Sequence, residues 1–250
     1  MNIVASGLLF LLGAGVGSFI TAQIFRTKKN KRSHCDNCNN KLAWSDLVPV
    51  LSYILLKGEC RYCKKKIKKT YFIIEVVSGC LFASSYLFLG FLSGQLLIWL
   101  IILSLMISLF LDDLFNRKMF FSQIAILTGF CILFTLLTDI VIEQKTYSIL
   151  MIEHILALIP LTILFCTVYF ISKEKLIGLG DILLSIPLGI LLSWQGSLFV
   201  LLLSSIFGII YYFIVMFQNK TKVKTKIPFG SFLILATIIF FVVKPFVNLF

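Results

Sequence analysis

The chain has 250 residues, of which 59% are hydrophobic and 14% charged, and its mean hydropathy is +1.01. That balance excludes an ordinary soluble globular domain. The net charge of +12 would suggest nucleic acid in a soluble protein; in an apolar chain it reads as loop topology and contact with anionic lipid headgroups, with no direct nucleic-acid partner.

A transmembrane helix needs roughly 20 mainly apolar residues, because each residue rises about 1.5 Å and the hydrocarbon core is about 30 Å thick. In chain order, spans are predicted at about 3 to 25, 72 to 91, 95 to 111, 119 to 138, 150 to 171, 179 to 193, 197 to 217 and 229 to 248. The sixth is short. The runs are apolar at consecutive positions, whereas a membrane β-barrel would alternate, so the expected fold is all-α: a polytopic helical bundle of about eight spans with a small loop domain. The first span begins Met1-Asn2-Ile3 without a basic leader and runs into a loop instead of a cleavage site, so it is expected to be retained. The expected division is residues 1–25 for the first helix, 26–70 for the loop domain and 71–250 for the membrane core.

Charge predicts the orientation. Of the 23 Lys and Arg, 13 lie from Arg26 to Lys69, two at Arg117 and Lys118, two at Lys173 and Lys175 and four from Lys220 to Lys226, which leaves Lys145 and Lys244. With eight spans these clusters fall in alternate loops, so the positive-inside rule places them in the cytoplasm and the N-terminus outside.

The first loop carries two CxxC pairs, Cys35-Asp36-Asn37-Cys38 and Cys60-Arg61-Tyr62-Cys63, separated by 21 residues. Each pair offers two thiolates from one tight turn, which suits a tetrahedral zinc ion. Two disulfides or a redox pair are the competing reading, disfavoured in a cytoplasmic loop without thioredoxin-like context. Four thiolates close the tetrahedron, so such a zinc is structural and leaves no position for a reacting water. His34 beside Cys35 is not needed as a ligand, and Cys80, Cys131 and Cys166 read as small buried hydrophobes.

Ionisable residues in or beside spans are functional candidates. Here they are Glu75, Asp112 and Asp113 at the end of the third span, and Asp181 after Gly178-Leu179-Gly180. Two carboxylates at one depth on different helices can share a proton and act as base and acid on a water attacking a peptide bond. Equally, these aspartates can cap helices or balance Arg117, Lys118 and Lys175. Gly13 and Gly17 form a GxxxG read as close helix packing, and His154 is given no chemistry.

Several pieces together resemble the prepilin (type IV leader) peptidases: Gly17-Ser18-Phe19; Arg32-Ser33-His34-Cys35 through Cys38; Trp44-Ser45-Asp46-Leu47-Val48-Pro49; Gly58-Glu59-Cys60; Glu75; Gly178-Leu179-Gly180-Asp181; and Pro228-Phe229-Gly230. The resemblance implies a GxGD aspartyl peptidase with Asp113 and Asp181 as the catalytic pair and Asp112 as the fallback. Phe120 stands where a proline is usual, and Leu183 where many members carry lysine. The resemblance also implies cleavage of a short basic leader, after a glycine, from prepilins or pilin-like competence and type II secretion proteins. It implies as well that the cysteine loop serves N-methylation of the new N-terminus from S-adenosylmethionine; Asp46 and Glu59 read as solvated or capping residues. The Lys-, Phe- and Ile-rich composition fits a low-GC bacterium, where the substrate would be a competence pseudopilin. A presenilin-type peptidase lacks the cysteine loop. A zinc-stabilised assembly component or a transporter is the non-enzymatic alternative, and a transporter would carry its polar residues near the bilayer midplane.

Overall fold

The computed structural model describes residues 3–25, 33–35, 37–89, 94–141, 147–172, 178–192, 194–218 and 228–243. The charged positions Arg26 to Arg32, Asp36, Lys145, Lys173, Lys175, Lys220 to Lys226 and Lys244 lie outside them. The described residues form helices and no strands: α1 (Ile3–Phe25), α2 (Leu51–Leu55), α3 (Lys69–Leu89), α4 (Gly94–Leu111), α5 (Phe121–Val141), α6 (Tyr147–Ser172), α7 (Leu179–Leu191), α8 (Trp194–Gln218) and α9 (Phe229–Val243). A 3-10 turn at Trp44–Leu47 precedes α2, and a wider π-type turn at Asp112–Asn116 continues α4.

A helix thus lies over each of the eight expected spans. Ile3–Phe25, Gly94–Asn116, Phe121–Thr138 and Trp194–Phe217 are long and apolar enough to cross a membrane, and Leu156–Ile171, Leu179–Leu191 and Phe229–Val243 are shorter apolar helices. Helix α3 is more polar, but Ser78, Ser84 and Ser85 turn their hydroxyls back onto carbonyls of Ile74 and Leu81 at 2.8 to 2.9 Å, which satisfies them without water. The protein is a multi-pass membrane protein.

The chain forms two compact units, Met1–Leu96 and Leu97–Phe250. In the first, α1 lies against α3. The contact is close because glycines face it: a β-carbon at Gly13 would stand 2.5 Å from the Ser78 carbonyl, one at Gly17 would collide with Ser78 Oγ, and one at Gly79 would lie 2.8 Å from the Phe10 ring. In an apolar solvent helices gain nothing from burying hydrocarbon, so backbone approach of this kind drives association. Gly17→Val is expected to destabilise the first unit by about 1–3 kcal/mol through overpacking, read as a lower Tm or faster loss of intact protein in detergent.

In the second unit α4 is the most enclosed of the long helices, with Ile102, Met106 and Leu109 fully buried. Trp99 sets its ring at a tilt against Phe134 of α5 and Phe241 of α9. Helix α7 packs on α5, α6 and α9, and α8 on α6 and α9. Helix α8 turns Leu202, Ile206, Ile209, Phe213 and Phe217 outward, a surface that lipid solvates. The far end of α4 and the starts of α7 and α9 converge, and the aspartates stand there.

Candidate active site

Asp112 and Asp113 occupy the π-type turn Asp112–Asn116, a distortion that re-aims side chains and recurs at functional sites. Both are buried, at 6% and 8% exposure. The turn ends at Arg117, whose left-handed backbone (φ 54°) lets its N–H reach the Asp113 carbonyl at 3.1 Å. The two neighbours face different surroundings. Asp112 Oδ1 accepts from Asn116 Nδ2 in its own turn at 3.1 Å. Asp113 reaches across to α9, where Oδ2 accepts from the Ser231 N–H at 2.8 Å and from the Ser231 hydroxyl at 2.7 Å.

Asp181 is the third residue of α7, and its Oδ2 accepts the Gly178 N–H at 3.1 Å, the reciprocal bond of a capping box. Its Oδ1 lies against Gly230 of α9, beside Asp113. The first turn of α9 therefore joins the pair: Gly230 lies against Asp181, and the N–H of the next residue, Ser231, goes to Asp113. Such donors have no partner within their own helix. A β-carbon at Gly230 would stand 3.0 Å from Asp181 Oδ1 and 3.4 Å from Asp113 Oδ2, so both carboxylates front the same α-carbon. Asp181 thus both caps a helix and faces a second carboxylate.

Reasoning from sequence assigned no role to Ser231, and Gly230 carried no chemistry there beyond its place in Pro228-Phe229-Gly230. The available signal was that motif at the start of an apolar helix.

In the first unit the four sulfurs of Cys35, Cys38, Cys60 and Cys63 lie within 4.8 Å of one another, with Cys35 and Cys63 3.8 Å apart. A tetrahedral ion with Zn–S bonds of about 2.3 Å needs edges of about 3.8 Å, so this donor set can hold zinc. None of the chain's cysteines is in a disulfide. The two knuckles repeat one device. Isolated bridges pair His34 with Lys41 and Glu59 with Lys66. The N–H groups of Cys35 and Cys60 donate to Asn40 and Lys65 at 3.0 and 2.9 Å, and the residues after each second cysteine, Asn39 and Lys64, are left-handed at φ 54° and 56°. The backbone N–H groups of Cys63 and Tyr62 hold the Cys60 thiol down at about 7. For Cys38 the Asn40 N–H pulls the same way, but burial and the neighbouring thiols leave it at about 11.

Asp46 is half-buried with its side chain only 3% exposed, pairs with Arg61 at 2.8 Å and accepts the Ala43 N–H at 3.2 Å; it caps its turn. Glu75 accepts the N–H of Val50 at 2.8 Å, clamping a β-branched residue at φ 63°, a conformation such residues rarely adopt. A cavity of about 680 Å³ opens here, lined among others by Thr21, His34, Tyr53, Arg61, Phe72 and Glu75. His154 lies on α6 and Cys131 is buried in α5, away from this loop in sequence.

Residues 11–89 match the family model of the bacterial peptidase A24 N-terminal domain. The chain is 28% identical to a prepilin leader peptidase/N-methyltransferase of Vibrio cholerae over 90% of its length and 92% of the relative's. It is 29% identical to a type 4 prepilin-like proteins leader peptide-processing enzyme of Escherichia coli O78:H11, over 83% of the chain and 74% of the relative. A prepilin leader peptidase/N-methyltransferase of Myxococcus xanthus is 28% identical over 80% of the chain, which spans 60% of that relative's length. No solved structure matches the chain.

Proposed function

We propose that this chain, which belongs to the bacterial A24 prepilin leader peptidase family, is an aspartic endopeptidase of the cell membrane. It removes the short basic leader of type IV prepilins or pilin-like competence and secretion proteins, cutting after a glycine at the cytoplasmic face. The observation that carries this reading is the meeting of Asp113 and Asp181 at the Gly230 α-carbon.

The chemistry follows from two carboxylates holding one proton between them. A water between them loses a proton to Asp113 as its oxygen bonds to the scissile carbonyl carbon. Asp181 gives its proton to the carbonyl oxygen. Collapse of the tetrahedral intermediate breaks the C–N bond as the proton taken up by Asp113 passes to the leaving amine and one hydroxyl proton of the intermediate returns to Asp181, restoring both carboxyl groups. The Ser231 bonds keep Asp113 Oδ2 in place and leave Oδ1 as the oxygen that receives the water's proton. Ser231→Ala is expected to lower kcat about 10- to 100-fold with KM unchanged, the value of a hydrogen bond to a charged group, and Ser231→Thr to restore it; equal changes in kcat and KM would contradict this.

Zinc on Cys35, Cys38, Cys60 and Cys63 is structural and shapes the loop domain. The relatives' second activity extends the reading to N-methylation of the new N-terminus. S-adenosylmethionine, when bound, supplies an activated methyl group. The cavity of the first unit fits such a group: the stacked rings of Tyr53 and Phe72, with centroids 4.7 Å apart, offer a flat apolar wall, and Glu75 a negative charge for a sulfonium. The basic loops support an orientation with the N-terminus outside and the aspartates and cysteines in the cytoplasm. A substrate would enter from the bilayer, its basic leader in the cytoplasm and its apolar helix among the spans.

The test is purified protein in lipid nanodiscs mixed with a prepilin carrying a basic leader, a Gly-Phe junction and an apolar helix, read by mass spectrometry. Release of the leader, a product heavier by one methyl when S-adenosylmethionine is added, and loss of cleavage in Asp181→Ala are expected. An uncut substrate, or cleavage unchanged in Asp181→Ala, would sink the aspartyl peptidase reading.

A further inference from the structure

We propose that Met119 is the specificity-determining wall of this site, limiting the size of the substrate residue that precedes the scissile bond. The inference rests on the peptidase reading above and adds which residue imposes the limit.

Met119 stands on the short link between the π-type turn and α5, and its side chain lies across the starts of two other helices. A β-carbon at Gly180 of α7 would be 3.0 Å from Met119 Sδ and 3.2 Å from its Cβ; one at Gly230 of α9 would collide with Met119 Cε. The thioether therefore fills the notch that both glycines leave open, and its methyl end reaches the α-carbon that Asp113 and Asp181 front. The link is mounted firmly at both ends. On one side the Arg117 N–H is bonded to the Asp113 carbonyl at 3.1 Å; on the other the Phe120 carbonyl accepts the N–H groups of Gln123 and Ile124 at 3.1 and 3.2 Å. A wall carried between the catalytic turn and a long helix keeps its position relative to the dyad.

The substrate residue most affected follows from bond lengths. The attacked carbonyl carbon must come within about 3–3.5 Å of a water held by the two carboxylates. That carbon is about 1.5 Å from the α-carbon of the residue preceding the scissile bond. The first side-chain atom of that residue then falls within the few ångströms that Met119 occupies. A residue with no side chain passes; each added carbon must displace the thioether. Exclusion of a single carbon from an apolar pocket is worth about 10- to 200-fold in kcat/KM.

The experiment measures kcat/KM for prepilins with Gly, Ala or Ser before the scissile bond, on wild type, Met119→Ala and Met119→Leu in nanodiscs. Wild type and Met119→Leu are expected to prefer Gly over Ala by about 10- to 200-fold, and Met119→Ala to reduce that preference by tenfold or more. A Met119→Ala enzyme that cuts the Gly substrate with an unchanged Gly-to-Ala ratio overturns the assignment while leaving the peptidase reading intact. Wild type that cuts Ala as fast as Gly overturns it too, and wild type that cuts neither removes the peptidase reading and this inference with it. Should Met119→Ala fail to accumulate, photo-methionine incorporated in otherwise intact Asp181→Ala protein gives the answer: a cross-link from position 119 to the junction residues supports the wall, and cross-links from 119 confined to the distant leader or helix overturn it.

Discussion

Asp113→Ala and Asp181→Ala are each expected to lower prepilin cleavage by about 10²- to 10⁴-fold, the range for loss of a positioned acid or base, while Asp112→Ala stays within about tenfold of wild type. The three carboxylates differ in what they face. Asp113 takes the Ser231 N–H and hydroxyl, and Asp181 meets it at Gly230 of the same helical turn, whereas Asp112 is bonded within its own turn to Asn116. Residues acting as one unit lose activity non-additively, so the double variant Asp113→Ala/Asp181→Ala should cleave no more slowly than the worse single one. The comparison is made at matched membrane levels. Loss in Asp112→Ala with cleavage kept in Asp113→Ala would move the first site by one residue, and additive losses would argue that the two aspartates do not work together.

Removal of the metal is expected to unfold the loop domain. Structural zinc in small cysteine sites contributes about 10–16 kcal/mol at neutral pH, as much as the whole stability of a typical domain. The loop has little to replace it: its described structure is one five-residue helix, one 3-10 turn and two knuckles, too small for a core of its own. One zinc per chain by elemental analysis is therefore expected in wild type and less than half of that in Cys35→Ser or Cys60→Ser. Trypsin should then cut at Lys64 to Lys66, which zinc-loaded protein resists. Thiolates bind the metal and protons compete for them, so affinity should fall as pH drops through the Cys60 value of about 7 and lower, and rise above it. A metal-free loop that still resists trypsin would contradict this account.

Much of the molecule was legible in sequence because the deciding information is local. Each span carries its own apolar run, and a helix satisfies its backbone internally, so α4 or α8 can be read without knowing a neighbour. The cysteine pairs are local in the same sense: two thiolates from one turn need only the spacing of Cys35 to Cys38 and of Cys60 to Cys63. Gly13 and Gly17 could be read as a packing face because small residues at helical spacing leave little else to expect. The repeated backbone design of the two knuckles was not legible, since the sequences around them share little beyond the cysteines.

Long-range contacts are different in kind. Which of two adjacent aspartates faces a partner depends on the wider turn at Asp112–Asn116, and Asp113 meets Ser231 from 118 residues away in the chain. Gly230 is a glycine because two carboxylates and Met119 crowd its α-carbon, a fact that exists only when α4, α7 and α9 end together. Sequence by itself determined that this is a helical membrane protein with a four-thiolate loop and carboxylates at helix ends, because composition, periodicity and spacing are carried by neighbours along the chain. Only the tertiary structure decided which side chains and backbone N–H groups meet around those carboxylates, because that depends on the packing of helices whose contacts no single segment encodes.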